Sequence, residues 1–126
     1  MMINLQKNND PLDLSYLRDM SGDSAEFIIE MIDMFKLQTP LYISDLGQAI
    51  ADEDWPRASN CAHKIKPTFA YVGREDAKEH MQMMENNARD LKNIAELPLA
   101  FQQISAFVEH LYTQLDEAKA DLEKQI

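Results

Sequence analysis

The hydrophobic positions of this chain recur at steps of three and four, the period of one face of an α-helix. The most regular run is Trp55, Ala58, Ala62, Ile65, Phe69 and Val72, at steps of 3, 4, 3, 4 and 3. A second stripe is Ala77, Met81, Met84, Ala88 and Leu91. A third and longer one runs Leu97, Ala100, Ile104, Phe107/Val108, Leu111, Leu115, Ala118 and Leu122. Upstream, Phe27, Ile28, Met31, Met34 and Phe35 form an apolar face that resumes after Pro40 as Leu41, Leu46, Ala49 and Ile50. Leu14, Leu17 and Met20 mark a further piece of about two turns, too short to stand alone. No segment alternates with period two, and no Asn-Gly or Asp-Gly hairpin turn occurs. The pattern predicts an all-α protein, an antiparallel up-down four-helix bundle with a short N-terminal capping helix.

Punctuation residues divide these stripes. Asp23 with Glu26 three residues on has the spacing of a capping box and predicts a helix start. Pro40 lacks the N–H that would bond the carbonyl of Lys36, which predicts a kink or a split there. Asp54 is placed to cap the next helix, with Pro56 in the first turn where a missing N–H costs nothing. Gly73 is placed to end that helix in the left-handed conformation, and Pro98 falls in the opening turn of the last. Residues 1–10 lack periodicity and read as a flexible lead-in, leaving residues 11–126 as a single domain.

Composition narrows the function. A net charge of −10 and a pI near 4.6 disfavour nucleic acid, whose phosphates would be repelled. One cysteine makes no internal disulfide, no leader pattern opens the chain, and no apolar run approaches the roughly 18 residues of a membrane span. The expectation is a cytoplasmic, monomeric domain with no membrane insertion. The initiating Met and the lack of a linker-like tail favour a free-standing protein over an excised module.

Against this acidic background, residues 55–74 carry four basic residues (Arg57, Lys64, Lys66, Arg74) and no acidic one. His63 lies at the centre of that island. At about 100° per residue it points about 120° away from the centre of its helix's apolar seam, which predicts an exposed ring. Lys66 is one turn along, close enough to donate to a group attached to the imidazole. Ser59, Ala62 and Ala70 are small and leave room for a docking partner. An exposed neutral imidazole flanked by ammonium groups suits attack on an anionic electrophile, for which a phosphoryl group is the obvious candidate.

Residues 62–73, AHKIKPTFAYVG, resemble the signature of histidine-containing phosphotransfer (HPt) domains, through Ala62, His63, Ile65, Lys66, Val72 and Gly73. The DEDW before that helix and MMENNAR at 83–89 resemble the family's flanking stretches, and the likeness extends from Asp13 to about Leu115. The resemblance implies a phosphorelay intermediate. His63 would accept a phosphoryl group from a receiver-domain phospho-aspartate and pass it to another receiver, upstream of which stands a hybrid sensor histidine kinase. Lys66 would stabilise the phosphoryl oxygens. Arg89 falls where some members place a basic helper, and Glu85 where some use a glutamine, able to pair with Arg89 or bond the ring. Lys64, Pro67 and Ala70 would belong to the partner-binding face. The resemblance implies a phosphoryl carrier and not a kinase: three scattered glycines make no phosphate-cradling loop, and no cofactor is needed.

Pro67 departs from the family, which places glycine there. Because the seam continues through Phe69 and Val72, a kinked helix is expected and not a stop at Lys66. The alternative function is a non-catalytic helical adaptor that binds a sensor kinase or receiver without being phosphorylated. A di-metal carboxylate bundle needs Glu-x-x-His pairs; the residues three before His63, His80 and His110 are Asn60, Ala77 and Phe107. His80 and His110 read as surface or boundary residues, Cys61 as a half-buried small residue, Met81 and Met84 as core, and Met83 as exposed.

Overall fold

The computed structural model describes Ile3, Asn4, Gln6, Asn8 and residues 12–126, so the expected lead-in over residues 1–10 lies largely outside the described residues. Among these, the regular structure is helical throughout. Five α-helices follow in order: α1 Ser15–Ser21, α2 Ala25–Ala51, α3 Trp55–Tyr71, α4 Glu75–Asp90 and α5 Leu97–Glu123, with a 3-10 turn at Ile94–Glu96 leading into the last. Neighbours in space are α2 with α3, α3 with α4, α4 with α5, and α5 with α2, while α1 packs on α2.

The ends follow local chemistry. Ser24, one residue later than expected, caps α2: its hydroxyl accepts the Phe27 N–H at 3.2 Å, while Asp23 sits at φ 64° just outside the helix. Asp54 accepts the Arg57 N–H at 3.3 Å and caps α3, with Pro56 in its first turn. Gly73 takes the left-handed conformation at φ 76° after α3. A second constraint on it is invisible in its neighbours, because a Cβ there would lie 2.5 Å from Asp13 Cβ and 2.8 Å from its carbonyl oxygen.

Pro40 does not split α2. Unbroken, the helix buries Ile28, Ile32, Phe35, Thr39, Leu46, Ala49 and Ile50, and this register turns Leu41 and Met34 outward to 67% and 51% exposure. The apolar face expected on either side of the proline therefore included two residues that belong to solvent. Leu91 is a third such case. It ends α4 in the left-handed conformation at φ 56°, which lifts its side chain off the stripe. Met20 on α1 is also exposed.

The core runs the length of the bundle. Phe69 meets Phe35 and Phe107 edge-on at ring separations of 6.4 and 5.6 Å, and Met81, Met84, Ile104 and Leu111 are fully enclosed nearby. Small buried residues on both helices (Ala58, Ser59 and Ala62 on α3, Ala77 and Ala88 on α4) accompany the most extensive pairing in the molecule. His80 belongs to this core and not to the surface, with no exposure at all. It falls between Ala77 and Met84 at steps of three and four, so the buried stripe of α4 is wide enough to include it. Its Nε2–H donates to the Ala100 carbonyl at 2.9 Å and ties α4 to α5.

Candidate functional site

α3 runs without interruption through Pro67, so His63 and Lys66 stand on one continuous helix. The His63 side chain is 66% exposed, as its angle from the seam requires. Across from it α4 presents Gln82, Glu85, Asn86 and Arg89, four residues sharing one face by their spacing of three and four. The two helices are pinned at this level by Ser59, whose hydroxyl donates to the Glu85 carbonyl at 3.1 Å. That bond fixes the backbone from which Glu85 reaches the ring.

Glu85 joins the two leading residues of the site. Its Oε1 and Oε2 both lie 3.2 Å from His63 Nδ1, and Lys66 Nζ donates to Oε1 at 2.9 Å. Lys66 also donates to Gln82 Oε1 at 2.7 Å, and Gln82 passes on a hydrogen bond to Asn86 at 2.8 Å. Both members of the ion pair are largely enclosed, Lys66 at 15% and Glu85 at 12% exposure, whereas the ring they serve faces solvent. Burial pulls the Glu85 carboxyl upward, but the hydrogen bonds from Lys66 and His63 outweigh it and hold the group below its ordinary range. Glu85 is thus a carboxylate at neutral pH and can only accept. The hydrogen on the neutral ring therefore sits on Nδ1, and the lone pair is on Nε2.

Arg89 does not reach the Glu85 carboxylate. Its guanidinium donates to Asp90 at 3.1 and 3.3 Å and to Asn86 at 3.2 Å. It borders, with Trp55, Ser59, Asn60 and Leu91, a groove that His63 also lines. Of the two roles open to Glu85 in sequence, the bond to the ring is the one it adopts. Lys64 and Pro67 are exposed on α3, and Ala70 is half-buried. Ser59 and Ala62 are buried, so the ring is accessible because it projects outward and not because its neighbours are small.

The basic island is largely neutralised in three dimensions. Arg57 is held by Asp45 and Asp52. Arg74 is 4% exposed, bonds Asp76 through Nε at 3.0 Å and Nη2 at 2.8 Å, and lies 4.5 Å over the Phe107 ring. Its remaining donors reach Asn8 Oδ1 at 2.8 Å and the Asn4 carbonyl at 3.2 Å. Cys61 is more buried than expected at 5% exposure, and its thiol donates to Asp45 at 3.2 Å. Burial, followed by that hydrogen bond and the charge of Asp45, pushes it up to about 11, so it is no nucleophile. Met81 and Met84 are core, and Met83 is half-buried against it.

One residue, Gln82, and one role, the hydrogen bond from Ser59, escaped sequence reasoning. Gln82 is three residues before Glu85 on the same face, a spacing that was readable. Ser59 gave no comparable signal, because small residues on a helix look alike until a neighbouring backbone is present.

The described residues contain no helix long and apolar enough to cross a membrane. A family model described as Hpt domain matches residues 30–120. No curated protein and no solved structure matches the chain.

Proposed function

The chain belongs to the Hpt domain family, whose members take part in two-component phosphorelays, and on that premise we propose that it is a phosphoryl carrier that uses His63 Nε2 as its acceptor atom. The observation that carries this reading is the bond from His63 Nδ1 to both oxygens of a largely enclosed Glu85 carboxylate, with the ring itself exposed. An imidazole held this way presents its lone pair outward, where a docking partner arrives.

The step balances without a separate proton acceptor. Nε2 attacks the phosphorus of a receiver's phospho-aspartate, the N–P bond forms, the P–O bond to the aspartyl group breaks, and the aspartate leaves as a carboxylate. Nδ1 keeps its hydrogen throughout. Onward transfer is the reverse displacement by the carboxylate of another receiver. Lys66, held close by Gln82 and Glu85, donates to the incoming phosphoryl oxygens, and the magnesium chemistry belongs to the receiver. Lys64, Pro67, Ala70 and Arg89 supply the partner-facing surface around the ring. The four long helices act as one antiparallel up-down bundle within a single domain, working as a monomer in the cytoplasm. The alternative of a non-phosphorylated adaptor leaves the Glu85–His63–Lys66 arrangement without a use.

The test is incubation with a phosphorylated receiver, followed by assay for phosphate that is acid-labile and base-stable. Wild-type protein acquires such label, and His63→Gln does not. Equal labelling of His63→Gln would remove this histidine from the mechanism.

A further inference from the structure

Glu85 is engaged by two groups that cannot both need it equally at every stage. When the ring is neutral, the charge of Glu85 is balanced by Lys66 at 2.9 Å. Once Nε2 carries a phosphoryl group and Nδ1 keeps its hydrogen, the ring is a cation and the phosphoryl oxygens are anionic. Lys66 then has a better partner in those oxygens, and the ring has a counter-ion in Glu85. Resting on the reading that His63 is the acceptor, we infer that Glu85 is a positioning residue whose ion-pair partner changes during transfer, from the Lys66 ammonium to the phosphorylated His63 ring that it already bonds.

The surroundings make the exchange specific to Glu85. The charged groups around the ring are Lys64 and Lys66 on α3 and Glu85 and Arg89 on α4. Asp45, the nearby carboxylate on α2, is taken by Arg57 and Cys61. Arg89 is committed to Asp90 and Asn86. Among the described residues, Glu85 is therefore the carboxylate bonded to Nδ1. Gln82 makes the exchange possible. Its neutral oxygen, 2.7 Å from Lys66 Nζ, keeps the ammonium near the site when Lys66 leaves Glu85 for the phosphoryl oxygens.

The chemical consequence is a wider pH range for phosphoryl release. With Nδ1 protonated, the group that leaves during onward transfer is a neutral imidazole; without that proton it would be an imidazolate, a far poorer leaving group. A carboxylate hydrogen-bonded to Nδ1–H favours the protonated form and extends rapid transfer to higher pH.

The experiment compares wild type, Glu85→Gln and His63→Gln after loading with phosphoramidate, a phosphoryl donor to imidazoles that needs no receiver. Glutamine keeps an acceptor oxygen for Nδ1–H and removes only the charge. Onward transfer to a receiver is then timed between pH 6 and 9. The expected result is that the pH of half-maximal rate falls by about one unit in Glu85→Gln, making transfer about tenfold slower at pH 8, the lower end of what an adjacent charge does because the ring is exposed. A profile of unchanged shape, whether at full rate or uniformly slowed, overturns the counter-ion role. Loading of wild type that matches His63→Gln overturns the acceptor assignment instead, so the two failures are distinguishable.

Discussion

Gly73 and Gly22 both occupy the left-handed region, at φ 76° and 65°, yet only Gly73 is pressed by another segment. Substituting alanine at each separates the two costs. At Gly22 a Cβ meets nothing within 4 Å among the described residues, so the penalty is conformational alone, about 1 kcal/mol. At Gly73 the same penalty is joined by a Cβ placed 2.8 Å from the backbone oxygen of Asp13, which no side-chain rotation relieves. Relief requires the 12–14 segment to move, which loosens Leu14, now 8% exposed. Losing a good part of that burial adds about 1–2 kcal/mol. For a chain of 126 residues, 1 kcal/mol corresponds to a melting shift of about 4 °C. Calorimetry should therefore show a fall of about 4 °C for Gly22→Ala and about 8–12 °C for Gly73→Ala. Equal falls would refute the packing of the N-terminal segment against Gly73. Phosphotransfer by either variant, measured well below its melting point, should be near normal, because His63 lies ten residues up α3, about 15 Å along the axis.

Two further outcomes follow from the structure. Lys66→Ala should slow phosphotransfer about 10–100-fold by removing a charge-assisted donor to the phosphoryl group, with a melting change within about 4 °C; a large stability loss with normal transfer would contradict the assignment. His80 supplies a pH signal of its own. Burial first, opposed only in part by the hydrogen bond to Ala100, holds its folded pKa below 6.5, and its Nδ1 has no partner among the described residues. The unfolded chain therefore takes up a proton more readily. His80's stability contribution is present above pH 6.5 and lost as pH falls toward the folded value. His80→Gln, which can still donate to Ala100, should flatten the decline in urea midpoint between pH 7 and 5; an unchanged decline would assign it to other groups.

How far the sequence reached can be seen residue by residue. The seam from Trp55 to Val72 put His63 outside the core because a helical period is local, and the ring is exposed as that geometry demands. Asp54, Pro56 and Gly73 were readable for the same reason, since caps and left-handed turns depend on a few adjacent residues. Leu41, Met34 and Leu91 were misplaced because hydrophobicity alone does not say which apolar residues win a place inside. That was decided by the unbroken register of α2 across Pro40 and by the left-handed end of α4.

Electrostatics was the least legible layer. A run of four cations with no anion reads as a positive surface, but charge acts through space, and the carboxylates that answer it come from other elements. Asp45 on α2 and Asp76 on α4 take up Arg57 and Arg74, which leaves the histidine served by one lysine shared between Glu85 and Gln82. The amino-acid sequence by itself determined the helices, the exposed histidine and the lysine one turn away, because each follows from spacing along one helix. Only the tertiary structure decided that Glu85 and not Arg89 meets the ring, and hence which ring nitrogen keeps a free lone pair, because that depends on how α4 lies against α3.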